Sequence, residues 1–160
     1  MTEWNREGLK IEFFHDCLSA WCYKTSALLR DFVAEHPEIE VIQRSYPLST
    51  SPDFSGLFAS KEALKEEVLM IHWAEARDVA EDPRINPELM MSRPFGYPYS
   101  LPNMLGAKAA EMQAGQAGHW DFFDRVQVAH LTECNNIADD GVLHDCATEI
   151  GLDISRWEKD

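Results

Sequence analysis

Two short runs of alternating apolar residues, separated by one stretch of helical periodicity, constrain this chain more than anything else in it. Leu9-Lys10-Ile11-Glu12-Phe13-Phe14-His15 is apolar at 9, 11 and 13, continues into Phe14 and is broken at Asp16. Ile39-Glu40-Val41-Ile42-Gln43-Arg44-Ser45-Tyr46 alternates with period two and is closed by Pro47. Between them, Cys22, Thr25, Leu28, Leu29, Phe32 and Val33 share one helical stripe. His36-Pro37 ends that stripe, because a residue before proline is pushed out of the helical region. Strand, helix and strand in direct succession predict a βαβ unit, with parallel strands and a right-handed crossover.

The rest of the chain reads as helical. Residues 49–60 form a Ser/Pro/Gly-rich connector, and from Lys61 to about Ala80 the positions Leu64, Val68, Ile71, His72 and Glu75 share one helix face. Residues 82–102 hold five of the eight prolines and predict a loop with at most short turns. Three further helices are predicted over about 103–115, 119–131 and 138–150. Asp139-Asp140 puts negative charge at the start of the last, and Gly151 suits its C-terminal cap.

Composition narrows the partners. Among 160 residues, 14 Lys and Arg face 28 Asp and Glu, a net charge of −14. Phosphate backbones and anionic lipid both recruit clustered cations, so neither nucleic acid nor a membrane surface is expected as a partner. No apolar run approaches the roughly 20 residues that span a bilayer. The opening Met1-Thr2-Glu3-Trp4-Asn5-Arg6-Glu7 lacks the basic end and apolar stretch of a secretory leader, so the expected location is the cytoplasm. In that reducing setting Cys17, Cys22, Cys134 and Cys146 read as packing, redox or metal-binding residues rather than permanent staples.

The sharpest local feature is Asp16-Cys17-Leu18-Ser19-Ala20-Trp21-Cys22-Tyr23, between a strand and the helix it feeds. The first turn of a helix concentrates unpaired N–H groups and partial positive charge, which stabilise a thiolate there. With Ser19 as N-cap, its hydroxyl accepting from the amide of Trp21 or Cys22, Cys22 falls at the third helical position.

Phe13 to Tyr23 resembles the first strand and active turn of the DsbA-like thioredoxin superfamily, in particular its FrnE branch, which reads Asp-x-x-Cys-Pro-Trp-Cys-Tyr. Tyr46-Pro47-Leu48, Phe95-Gly96-Tyr97-Pro98, Ala107-Lys108-Ala109-Ala110-Glu111, His119 to Val126, Asn136-Ile137-Ala138-Asp139 and Glu149 to Trp157 follow in the order of that family's helical insertion. The resemblance implies an α/β fold: a thioredoxin-like βαβ unit with a large all-helical DsbA-like insertion. Residues 1–50 and 154–160 form the thioredoxin-like part and 51–153 the insertion. The family's C-terminal β-hairpin with its cis-proline, and its last helix, have no counterpart after residue 150. A shortened or fragmentary chain, completion by a partner, and self-association through an exposed strand edge as a homo-oligomer all stay open. The family's attacking cysteine aligns with Ser19 and its proline with Ala20, so only the second cysteine persists, as Cys22.

The expected function is therefore thiol–disulfide exchange on protein or small-thiol disulfides, in a form degenerate or truncated relative to the family. Cys17 serves as the accessible attacking thiolate and Cys22 as the resolving one. Two other readings stay open. Ser19 could orient a bound glutathione thiolate, as in kappa-class glutathione transferases and hydroxychromene-carboxylate isomerases, which resemble this turn. The chain could instead be a non-catalytic peptide-binding module. Trp21, His15 and Met104 are the expected substrate contacts, Met104 as one of a group with Met90, Met91 and Met112 that otherwise fills core. No cofactor is expected beyond glutathione under the second reading. His130, Cys134, His144 and Cys146 offer no convincing metal site, because His144 and Cys146 fall on different helix faces, and a Cys134–Cys146 disulfide stays open.

Overall fold

Alternation along the two strands decides which side of the sheet is covered. The computed structural model describes residues 8–160; Met1 to Glu7, the stretch read above for a leader, lies outside the described residues. Strands β1 (Lys10–His15) and β2 (Glu40–Ser45) pair in parallel, with Lys10 opposite Glu40 and His15 opposite Ser45. Phe13 and His15 on β1 and Val41 and Gln43 on β2 are buried, whereas Phe14 is 59% exposed on the other face. That outer face carries cross-strand ion pairs, Lys10–Glu40 at 2.6 Å and Arg44–Glu12 at 2.7 Å. Both pairs are half exposed and contribute little, at most about 1 kcal/mol each. Among the described residues no third strand joins the pair, so the sheet depends on the helices laid over it.

Helix α1 (Ala20–Glu35) ends at His36, whose N–H reaches the Phe32 carbonyl. Its buried stripe differs from the apolar one read in the sequence. Leu28 and Phe32 face outward, at 56% and 37% exposure, while Ser26 is buried. The reason is a polar anchor that apolar periodicity cannot register. The Ser26 hydroxyl donates to Asp124 at 2.5 Å and accepts from the Trp120 indole N–H at 2.6 Å. Arg30 lies over the Trp120 ring and pairs with Asp124 and Asp121. The helix is thus pinned to its neighbour by partnered polar groups as much as by apolar contact.

Beyond a single 3-10 turn (Phe54–Gly56), a continuous rod runs from Lys61 to Ala80. It comprises α2 (Lys61–Glu67), a π-helical segment (Val68–Trp73) and α3 (Ala74–Ala80). Lys65 is buried and donates to the carbonyls of Arg93 and Phe95 at 2.8 and 2.9 Å, tying the rod to the proline-rich stretch. That stretch holds α4 (Pro87–Ser92), where a loop with short turns was expected. Proline suits a first helical position, and the Asn86 side chain accepts from the Leu89 N–H.

Helix α5 (Leu101–Leu131) spans the two helices predicted over 103–115 and 119–131 and breaks between them at Ala114 and Gly115. Gly115 lies at φ 64°, ψ −154°, a region open in practice to glycine alone. Helix α6 (Asp140–Glu149) is capped by Asp139, which accepts from Gly141 and Val142, and Gly151 at φ 79° closes its end. Helix α7 (Ile154–Trp157) leans on α5, where the Trp157 indole donates to the Gly106 carbonyl at 2.8 Å. A Cβ at Gly106 would stand 2.7 Å from Phe122 and 2.8 Å from Trp157. Gly106→Ala is therefore expected to lower stability by about 1–3 kcal/mol through overpacking. Urea unfolding checks this; an unchanged midpoint contradicts the contact.

The core is continuous from the sheet to the helices, with Trp73, Phe122, Phe123, Leu69 and Ile85 fully buried. No described helix is long and apolar enough to cross a membrane.

Candidate functional site

The turn joining β1 to α1 is built by one carboxylate. Asp16 is 2% exposed; its Oδ1 accepts from the Leu18 N–H at 2.9 Å, closing the turn locally. Its Oδ2 accepts from the Leu48 N–H at 2.6 Å and from the Ser100 hydroxyl at 2.5 Å. One side chain therefore joins the turn, the segment leaving β2 and the start of α5. Burial pushes the Asp16 carboxyl up, and these three donors pull it partly back.

Two further pins hold the carbonyls of the turn. The Tyr97 hydroxyl donates to the Leu18 carbonyl at 3.2 Å and accepts from the Trp73 indole N–H at 3.2 Å. Gln127 donates from Nε2 to the Ser19 carbonyl at 2.8 Å. His130 stands behind Tyr97, 3.3 Å from its hydroxyl; it is wholly buried, and burial drives its pKa down to about 3.

Ser19 occupies the N-cap with extended backbone (φ −81°, ψ 109°), as expected, but its hydroxyl makes no capping bond. The helix start is instead closed by the Cys22 N–H, which reaches the Ser19 carbonyl at 3.1 Å. The hydroxyl stays free on the wall of an apolar cleft of about 430 Å³. Trp21, 44% exposed, stands on the same wall. No acidic side chain occupies the first turn of α1, so the field of its N–H groups is unopposed there.

The cysteines do not lie as the sequence suggested. Cys17, expected to be the accessible attacking thiol, is 2% exposed. Burial pushes its pKa well above the ordinary value, and the charges of Asp16, Cys22, Cys146 and Asp124 push it further. The position just outside the helix proves to be interior, near enough to Asp124 on α5 and Cys146 on α6 for both to act on the thiol electrostatically. Cys22 is half-buried in the first turn of α1, and all four cysteines are free thiols. Cys134 and Cys146 are both buried and unpaired, and Cys134 donates its S–H to the Asn86 carbonyl.

Two expected substrate contacts lie elsewhere. His15 is 3% exposed, its ring centroid 3.9 Å from that of Phe123 and 5.1 Å from that of His119. Burial first, then His119 and Lys108, lower its pKa to about 3, so it is a neutral core ring and no base for the turn. Met104 is 6% exposed and does not line the cleft. Asp16, Tyr97 and Gln127 were not singled out as site residues. Asp16 opens the motif of the turn and Tyr97 lies in the Phe95-Gly96-Tyr97-Pro98 run, whereas Gln127 carries no sequence signal.

A family model described as thioredoxin matches residues 13–160. The chain belongs to the thioredoxin family. Among solved structures, this thioredoxin-family chain is similar to the cytosolic disulfide reductase DsbM from Pseudomonas aeruginosa. The structure of DsbM with GSH gives a TM-score of 0.72 at 23% identity, covering 94% of this chain and 71% of that one. A second DsbM structure gives 0.74 at 24%, with coverage of 94% and 70%. A Nitrosomonas europaea protein proposed to be a protein disulfide isomerase gives 0.73 at 17%, with coverage of 94% and 68%. At these identities the likeness is one of fold: a DsbA-like thioredoxin architecture whose helical part carries half of the cleft. On that thioredoxin scaffold, a hydroxyl stands at the helix cap and a sulfur three residues further on.

Proposed function

We propose that the protein is a thiol–disulfide oxidoreductase of the FrnE type that works through a single sulfur, Cys22. The observation that carries this reading is that Cys22 alone among the four cysteines is not buried, and it sits in the first turn of α1. The order of motifs from Phe13 to Trp157 supports the branch, and the disulfide reductase activity named for DsbM, on the same fold, supports the chemistry.

In this cycle the Cys22 thiolate attacks one sulfur of a substrate disulfide. The substrate S–S bond breaks, a Cys22 mixed disulfide forms, and the other half leaves as a thiolate. A second small thiolate attacks the mixed disulfide, regenerates Cys22 and carries away the substrate half as a new disulfide. Electrons balance across the exchange, and the small thiol is the reductant. Cys17 stays protonated beneath the turn in this scheme.

A second reading keeps Ser19 as the group that orients a bound thiol such as glutathione. One observation favours it: the Ser19 hydroxyl makes no capping bond and is free to donate. The two readings are separated by substitution. Cys22→Ser is expected to abolish mixed-disulfide formation, with activity falling at least about a hundredfold, while Cys17→Ser leaves most of it. Mass spectrometry of the trapped adduct checks both. An adduct on Cys17, or full exchange in Cys22→Ser, rejects the first reading; loss only in Ser19→Ala selects the second.

A further inference from the structure

The cleft beside Ser19 has two walls of different origin. The turn and the start of α1 form one, with Leu18 and Trp21; the π-helical segment Val68–Trp73 forms the wall across from it. A π turn joins i to i+5, so residues four and five ahead both stand over the first. Val68, His72 and Trp73, at the two ends of that turn, all line the same cleft. Single π turns inside α-helices recur at functional sites. This wall is also rigid, because Trp73 is 0% exposed and its indole N–H is held by Tyr97.

The lining contains no lysine, arginine, aspartate or glutamate. Its free polar groups are the Ser19 hydroxyl, the Trp21 indole N–H and the His72 ring, since the Tyr97 hydroxyl is spent on the Leu18 carbonyl. A volume of about 430 Å³ accepts a group the size of an aromatic side chain. The lining offers a carboxylate no lysine or arginine to pair with, and a net charge of −14 repels an anionic ligand on approach.

We propose that this cleft takes an aromatic or branched apolar side chain next to the reacting sulfur of a neutral or cationic peptide disulfide, and that the π segment sets that preference over acidic thiols such as glutathione. This rests on exchange at Cys22. The apolar side chain is desolvated in the cleft while the adjacent S–S bond is presented to the start of α1. The bonds made and broken are those of the exchange already described.

The test uses the full chain and two mixed disulfides that carry the same methylthio group, one of N-acetyl-Phe-Cys-amide and one of glutathione, so that attack on the methylthio sulfur releases the cysteinyl thiolate and leaves the same adduct on Cys22. Each second-order rate of Cys22 adduct formation is divided by the rate of the same probe with free dithiothreitol. The aromatic probe is expected to react at least about tenfold faster, the discrimination a hydrophobic pocket gives. Leu57 lines the cleft and is 75% exposed, so Leu57→Lys adds a cation there without disturbing the core. This variant is expected to bring the ratio of the two probes close to one. Equal rates in the wild type, a faster glutathione probe, or an unchanged ratio in Leu57→Lys overturns the assignment. Binding of sulfur-free N-acetyl-phenylalaninamide, followed by tryptophan fluorescence, reports on the cleft alone. Saturable binding lost in Leu57→Lys, with no adduct on Cys22, keeps the cleft and rejects exchange; adducts formed at equal rates keep exchange and reject the cleft preference.

Discussion

Replacing Asp16 by alanine is expected to lower the unfolding free energy by about 1–3 kcal/mol, because it leaves the buried Leu18 N–H and the partly buried Leu48 N–H without an acceptor. The Ser100 hydroxyl also loses its partner but can rotate toward another. Asp16→Asn separates charge from hydrogen bonding. Its carbonyl oxygen can keep one N–H, while its NH₂ group meets the donors on the other side, so an intermediate loss is expected. Urea unfolding at neutral pH measures both. A loss under about 1 kcal/mol for the alanine variant would show that the turn is held chiefly by Tyr97 and Gln127. The alanine variant is also expected to expose Cys17 to alkylation, since the turn above it is no longer fixed.

Acidification is expected to destabilise the fold steeply, beginning near pH 6.5. His15 and His130 stay neutral in the folded chain down to about pH 3, whereas each takes up a proton near pH 6.5 when unfolded. The unfolded state therefore binds more protons in this window, and stability falls as pH falls. Two such rings give a slope approaching about 2.7 kcal/mol per pH unit. Burial lowers His119 as well, against the raising influence of Glu111. Asp16 and Asp124 act in the opposite direction, because burial raises both and the folded chain takes up their protons first on acidification. The histidine contribution is cleanest between pH 6.5 and about 5, above the range in which exposed carboxylates titrate. Thermal unfolding across that window checks it, and a flat melting temperature contradicts it. His15→Leu leaves no partner stranded, since neither ring nitrogen of His15 has one, and is expected to remove close to one proton from the slope.

The fold was legible where a local pattern meets a local cause. The two strands alternate because one face is covered, Pro37 and Pro47 close the elements before them, and Asp139 and Gly151 bound α6 by capping geometry. The site was legible at its frame: the strand-to-helix turn, Ser19 at the cap and Cys22 in the first turn. What failed depends on residues distant in sequence. Cys17 looked accessible because it lies outside α1, yet the folded chain buries it, with Asp124 and Cys146, far away in sequence, close enough to act on its thiol. Ser26 broke the apolar stripe of α1 because its partners, Trp120 and Asp124, lie on another helix. Met104 sat in a suggestive methionine group, but its helix turns it into the core. The π segment has no residue signature of its own, so the wall it builds could not be read from spacing.

The turn from Asp16 to Ser19 is short and contiguous, yet its anchors come from Leu48, Tyr97, Ser100 and Gln127. β1, α1 and β2 can associate early, because the loops they must close are short. The turn cannot acquire its shape until the distant helices have docked upon it. Competence at the helix cap is consequently a late event in the life of a newly made chain. A partly assembled molecule already carries Cys22 on its helix, and only the docking of the distant helices fixes the peptide that leads into it.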